Sequence, residues 1–143
     1  MQNNVIQQTS LDTISTCKVV EGSTDVYEMV EEMPRFLGCE EMEGSIADKK
    51  HCADKKMLAY INANINRLTI PDEEDVEGVT VIRFIIDEQG KVIEPFVLRE
   101  AHPVISKTYL SVINKMPKWI AGKCNGEPVK VQFNLPIHIR FDK

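Results

Sequence analysis

From Val129 to Phe141 apolar and polar residues alternate without a break. Val129, Val131, Phe133, Leu135, Ile137, Ile139 and Phe141 are apolar, and Lys130, Gln132, Asn134, Pro136, His138 and Arg140 stand between them. Successive side chains of a strand turn to opposite faces, so this pattern predicts one long strand with a dry face and a wet face. Pro136 offers no backbone N–H, which favours the edge of a sheet. A long edge strand carries unpaired main-chain groups. They are either a hazard to be masked or a docking site for another strand.

The same period appears from Val79 to Asp87, with Thr80, Ile82, Phe84 and Ile86 on one face and Val81 and Ile85 on the other. The second face is therefore partly covered too. Asp87-Glu-Gln-Gly90 is a turn with glycine at its left-handed position, and Lys91–Arg99 is the return strand. Pro95 inside it predicts an outer, bulged strand.

Helical spacing appears twice. Met57, Ile61 and Ile65 recur every four residues, with Leu58 beside them, and predict a helix from about Ala53 to Asn66. Ile105, Tyr109, Val112 and Met116, with Ile113 alongside, predict a second from Pro103 to Lys115, which Pro117 stops. Trp119 then plugs the core. Gly122–Pro128 reads as a turn region. Val26–Phe36 reads as an extended segment packed on the domain, since Pro34 ends any helix before it. Residues 1–25 lack periodicity and read as an arm or linker, leaving 26–143 as the domain.

The order helix, strand, strand, helix, strand predicts an α+β fold: a small three-stranded antiparallel sheet, order 2-1-3, with both helices on one face. Pro95 marks one outer strand, so the last strand takes the other edge.

With 143 residues, 43% of them apolar, the chain suits one domain. Its net charge of −5, with acids at Glu40–Glu43 and Asp72–Asp75, argues against nucleic acid, whose phosphates need a basic face. No apolar run approaches the about 20 residues that cross a bilayer, and Met1–Ser10 has no signal pattern. The expectation is a piece of a longer exported protein. Cys17, Cys39, Cys52 and Cys124 allow three pairings. Cys39 and Cys52 flank a polar segment, which suits a local disulfide worth roughly 3 kcal/mol, against four reduced thiols in a cytosolic protein.

Chemistry is sparse. His51, His102 and His138 stand in three contexts, and no nucleophile–base set or phosphate loop appears. Cys39, His51 and Cys52 match no common metal site. The expectation is no enzyme, no metal and no cofactor.

Several segments, in order, carry a resemblance: Val30-Glu-Glu-Met-Pro-Arg-Phe36, Tyr60-Ile61 with Asn64-Ile65, Val76 to Asp87, Gly90-Lys-Val92, Val97-Leu-Arg99, Met116-Pro-Lys-Trp119, Gly122-Lys-Cys-Asn-Gly126 and Pro128 to Pro136. Over about Tyr27–Phe141 the chain resembles the C-terminal domain of TonB-type energy transducers, in a subgroup with a cysteine pair at Cys39 and Cys52. The resemblance implies a periplasmic module tethered to the inner membrane, through an anchor absent from this sequence. It implies binding of the N-terminal box segment of outer-membrane transporters, which adds as a strand beside the last strand. By position, the docking strand is Val129, Lys130, Val131, Gln132, Phe133, Asn134 and Leu135. The stretch before the first strand, Asn64 to Leu68, is implied as a second contact. Where family members carry Tyr-Pro, this chain has Arg67-Leu68. A TonB-like module of an envelope adaptor or sensor is the alternative, and an open last strand also suggests pairing with its own copy in a homodimer.

Overall fold

The computed structural model describes residues 17–65 and 76–141. Strands β1 (Lys18–Val19) and β2 (Val26–Met29) come first, then helix α1 (Ile46–Asn64). Strands β3 (Val76–Ile86) and β4 (Val92–Arg99), helix α2 (Pro103–Asn114), and strands β5 (Gly122–Cys124) and β6 (Glu127–Phe141) follow.

The predicted three-stranded core is present. β3 is central, with β4 and β6 antiparallel on its two sides. Thr80, Ile82, Phe84 and Ile86 of β3 are fully buried, and Val131, Leu135 and Ile139 of β6 nearly so. One core joins Ile82, Phe84, Ile86, Leu135 and Ile139 to Ala53, Met57 and Ile61 of α1 and to Ile105, Tyr109, Val112 and Ile113 of α2, so both helices cover the same face. Burying such side chains contributes about 1.5–3 kcal/mol each. Burial also pushes the Tyr109 phenol above its ordinary pKa of 10.0. Trp119 fills the core edge-on to Phe36, Phe84 and Phe133, with ring centroids 5.6–5.8 Å apart.

Turn chemistry fixes the β3–β4 hairpin. Gly90 has φ +86°, and a Cβ there would lie 1.9 Å from the Trp119 carbonyl oxygen. The Trp119 amide donates to the Gly90 carbonyl at 2.7 Å, which ties the hairpin tip to the core tryptophan. Glu94 stands at φ +53° beside Pro95, and the ladder slips between Arg83 and Ile85, so the predicted bulge is there.

Three expectations need correction. Among the described residues the sheet has six strands and is mixed: its order is β1-β2-β6-β3-β4, and β5 pairs with β6 off that path. The predicted order 2-1-3 is its β4-β3-β6 portion. β2 was missed because its partner lies about a hundred residues on in sequence, and only Val26 and Tyr27 pair, opposite Lys130 and Val131. Within the stretch read as an arm, Lys18 and Val19 pair with β2. Second, α1 begins well before Ala53. Ser45 Oγ accepts from the Asp48 amide and Asp48 Oδ2 accepts from the Ser45 amide, both at 3.1 Å. This capping box starts the helix among exposed residues, which an apolar stripe does not register. Third, Leu58 is 47% exposed and outside the buried stripe.

Candidate partner-binding edge

The hairpin β5–β6 turns on Asn125 (φ +54°) and Gly126 (φ +81°), a two-residue turn that starts the long strand at Glu127. Its main-chain directions can be followed outward. Glu32 and Lys123 exchange both main-chain hydrogen bonds, at 2.9 and 3.2 Å, so Lys123 turns away from β6. Its neighbours Gly122 and Cys124 therefore turn toward β6 and meet Val129 and Glu127. Odd residues of β6 thus face the β5 side, and even residues face the opposite side. From Val131 to Phe141 the ladder with β3 runs without a slip, so the alternation carries through. Pro136 is even-numbered. With no N–H to give, it fits where even residues turn away from β3. β2, on the other side of β6 from β3, is then met by Lys130 and Gln132.

The implied docking residues accordingly divide. Val129 is paired with Gly122 of β5. Lys130 and Val131 lie opposite β2. Gln132, Phe133, Asn134 and Leu135 pair with Ile85, Phe84, Arg83 and Ile82 of β3, and past Gln132, which still meets β2, the other flank has no strand among the described residues. Among the described residues the open flank continues past Leu135, and along it Asn134, Pro136 and His138 turn their main-chain groups outward. Asn64 is not brought to this strand. It ends α1, donates from Nδ2 to the Tyr60 carbonyl at 2.7 Å, and lines a groove of about 420 Å³ with Lys107, Thr108, Ser111 and Lys115 of α2 and its margin. Arg67 and Leu68 lie outside the described residues.

The surroundings of the edge are apolar and mildly basic. No acid occurs from Val129 to Phe141, in a chain of net charge −5. Lys130 Nζ reaches Asp25 Oδ2 at 3.4 Å, and Arg83 Nε donates to Asn134 Oδ1 at 3.0 Å. On the helix side, Lys50 Nζ sits 5.3 Å from the Phe133 ring centre and 2.7 Å from Asp54. On the outer face Gln132 walls a groove of about 460 Å³ with Arg83, Ile85, Glu94, Pro95 and Phe96. Two disulfides brace the lower part of the molecule, Cys39–Cys52 and Cys17–Cys124. Among the described residues no group of His, Cys, Asp and Glu gathers as a metal site.

His138, Tyr27 and Asp25 belong to this edge and were not singled out from sequence. His138 could have been found, since it shares the parity of Pro136. Tyr27 and Asp25 carried no such signal.

A half-open strand edge on a helix-backed sheet offers main-chain groups to a further strand. The family model "Gram-negative bacterial TonB protein C-terminal" matches residues 71–142, just over half of the sequence, and the chain belongs to that family. The family's domain is a periplasmic interaction domain of energy transducers and not an enzyme. Among solved structures, the chain is similar to the TonB C-terminal domain of Helicobacter pylori, residues 179–285, determined by NMR in solution. The two are 17% identical with a TM-score of 0.40, over 71% of this chain and 99% of that one. No curated protein matches the sequence.

Proposed function

We propose that this chain is the partner-binding domain of a TonB-type energy transducer, and that it takes the N-terminal segment of an outer-membrane transporter as an added strand beside β6. The observation that carries the reading is the open flank of β6 at Asn134, Pro136 and His138, opposite an unbroken ladder with β3. Main-chain hydrogen bonds to that flank supply affinity, and the side chains on either face of the added strand supply choice. The docking strand implied from sequence, Val129–Leu135, shifts toward Phe133–Ile139, because β2 already lies along the start of that flank. Arg67 and Leu68 remain a proposed second contact. In the full protein such a domain would stand in the periplasm below an inner-membrane anchor.

NMR titration with transporter N-terminal peptides tests this. The Asn134 and His138 amides are expected to shift most, and unmoved β6 amides with every peptide would sink the reading. A second copy is a poorer occupant of the same edge. Any self-pairing across Pro136 forfeits a hydrogen bond from each copy, whereas a peptide forfeits one in all. Sedimentation of the free chain is expected to show a monomer, and a stable dimer would overturn that ranking.

A further inference from the structure

β2 lies on the docking edge itself and so displays what the edge accepts. The Val26 carbonyl accepts from the Val20 amide at 2.8 Å, so Val26 turns toward β1. Tyr27 and Asp25 then turn toward β6. The parallel register, Val26 opposite Lys130 and Tyr27 opposite Val131, sets the Lys130, Gln132 and Tyr27 amides across the seam. Asp25 places its carboxylate against Lys130.

The hairpin that delivers β2 is pinned at both ends and lightly held between. At one end Cys17, next to β1, is bonded to Cys124 of β5. At the other, Val30, Pro34 and Phe36 are buried, and Glu32 and Arg35 bond to Lys123 and Ile120 through the main chain. In between, Val26 and Tyr27 are only half-buried, and Glu28 and Met29 are exposed. The Lys18–Glu28 pair, with side chains 67% and 41% exposed, adds little. Such a segment opens locally at small cost unless both pins hold it.

We propose that β2 is a resident strand that covers the start of the β6 edge, and that the Cys17–Cys124 disulfide keeps it there against an incoming strand. This rests on the strand-addition reading and extends it. The occupant that fits is an extended peptide running parallel to β6, with a carboxylate to meet Lys130 followed by two β-forming side chains, as in Asp25-Val26-Tyr27. Tethering makes β2 an intramolecular competitor, and releasing one pin lowers its hold on the edge.

The probe is a synthetic peptide of residues 24–31, Thr-Asp-Val-Tyr-Glu-Met-Val-Glu. It is offered to the intact chain and to the double variant Cys17→Ser/Cys124→Ser, which retains Cys39–Cys52. In the variant the Lys130 amide is expected to exchange about tenfold faster, and the peptide to bind about tenfold more tightly, with shifts at Lys130 and Gln132. Equal affinity for the two forms, or unchanged protection of Lys130, would overturn the proposal. Should the double variant fail to fold, Tyr27→Pro keeps both disulfides and removes the amide that faces β6. The same gain in peptide binding is expected of it, and no gain counts against the proposal. The probe comes from the chain itself, so a transporter peptide that fails to bind would sink the docking reading separately.

Discussion

The sheet carries one proline in the outer strand β4 and another in β6, where β6 runs on past its short pairing with β2, and the two behave differently. At Pro95 in β4 the ladder breaks: Arg83 faces Phe96 and Ile85 faces Ile93, so Glu94 and Pro95 together stand opposite Phe84. Glu94 is driven to φ +53° in the process. At Pro136 in β6 nothing breaks, and Val81 faces it within a continuous register. The difference lies in which side the missing N–H falls on. Pro136 falls on the side away from β3 and leaves β6 straight. A bulge bends and twists a strand and blunts it as a template, so the β4 edge is guarded while the β6 edge stays receptive. A proline in a strand therefore marks a stretch with an unpaired flank, and its parity against the ladder decides whether that flank can take a guest.

Moving a proline by one residue along β6 breaks the comparison most severely. The Ile137 main chain turns toward β3 opposite Thr80, which is fully buried. Ile137→Pro removes a ladder donor and a packed side chain, and is expected to cost about 4 kcal/mol in urea or thermal unfolding. His138→Pro places the same ring on the outward parity and is expected to cost about 1 kcal/mol or less. It also removes an outward donor, so a strand-adding peptide should bind about fivefold more weakly to a chain that is still folded. Similar stability losses in the two variants would refute the assignment of odd residues to β3.

This parity was half visible in the sequence. Alternation from Val129 to Phe141 correctly separates the core-side residues from the rest, but the edge position read from Pro136 is corrected, since β6 lies between β2 and β3 and only its stretch past β2 lacks a second strand among the described residues. The β3–β4 hairpin, its Gly90 turn and its bulge are equally legible, because each rests on residues within a few positions of one another. β2 is not legible. It is held to β6 by two paired residues and the Asp25–Lys130 contact, and to β5 by a disulfide from Cys17 to Cys124, at a sequence separation of 107. Four cysteines permit three pairings; spacing favours Cys39–Cys52 and leaves open whether Cys17 and Cys124 are joined. The start of α1 at Ser45 was legible through Ser45 and Asp48, but an apolar stripe begins only where the helix meets the core, at Ala53. The flank proposed for docking begins about half a strand later than Val129, because the segment that covers the start of β6 left no local mark.

The smallest expected effect concerns the guarded edge. Glu94 occupies the left-handed region, which suits Asn better than a longer side chain. Glu94→Asn should therefore stabilise the chain by about 0.5 kcal/mol, without the added unfolded-state freedom a glycine would bring. Urea unfolding measures it, and a loss of stability would mean that the Glu94 side chain itself holds the bulge. Peptide binding at Asn134 and His138 should not change, since β3 lies between β4 and the open flank of β6. A change in affinity from this substitution would show that the two edges are coupled through the groove that Glu94 shares with Gln132, and that the contrast between the two prolines is not a local one.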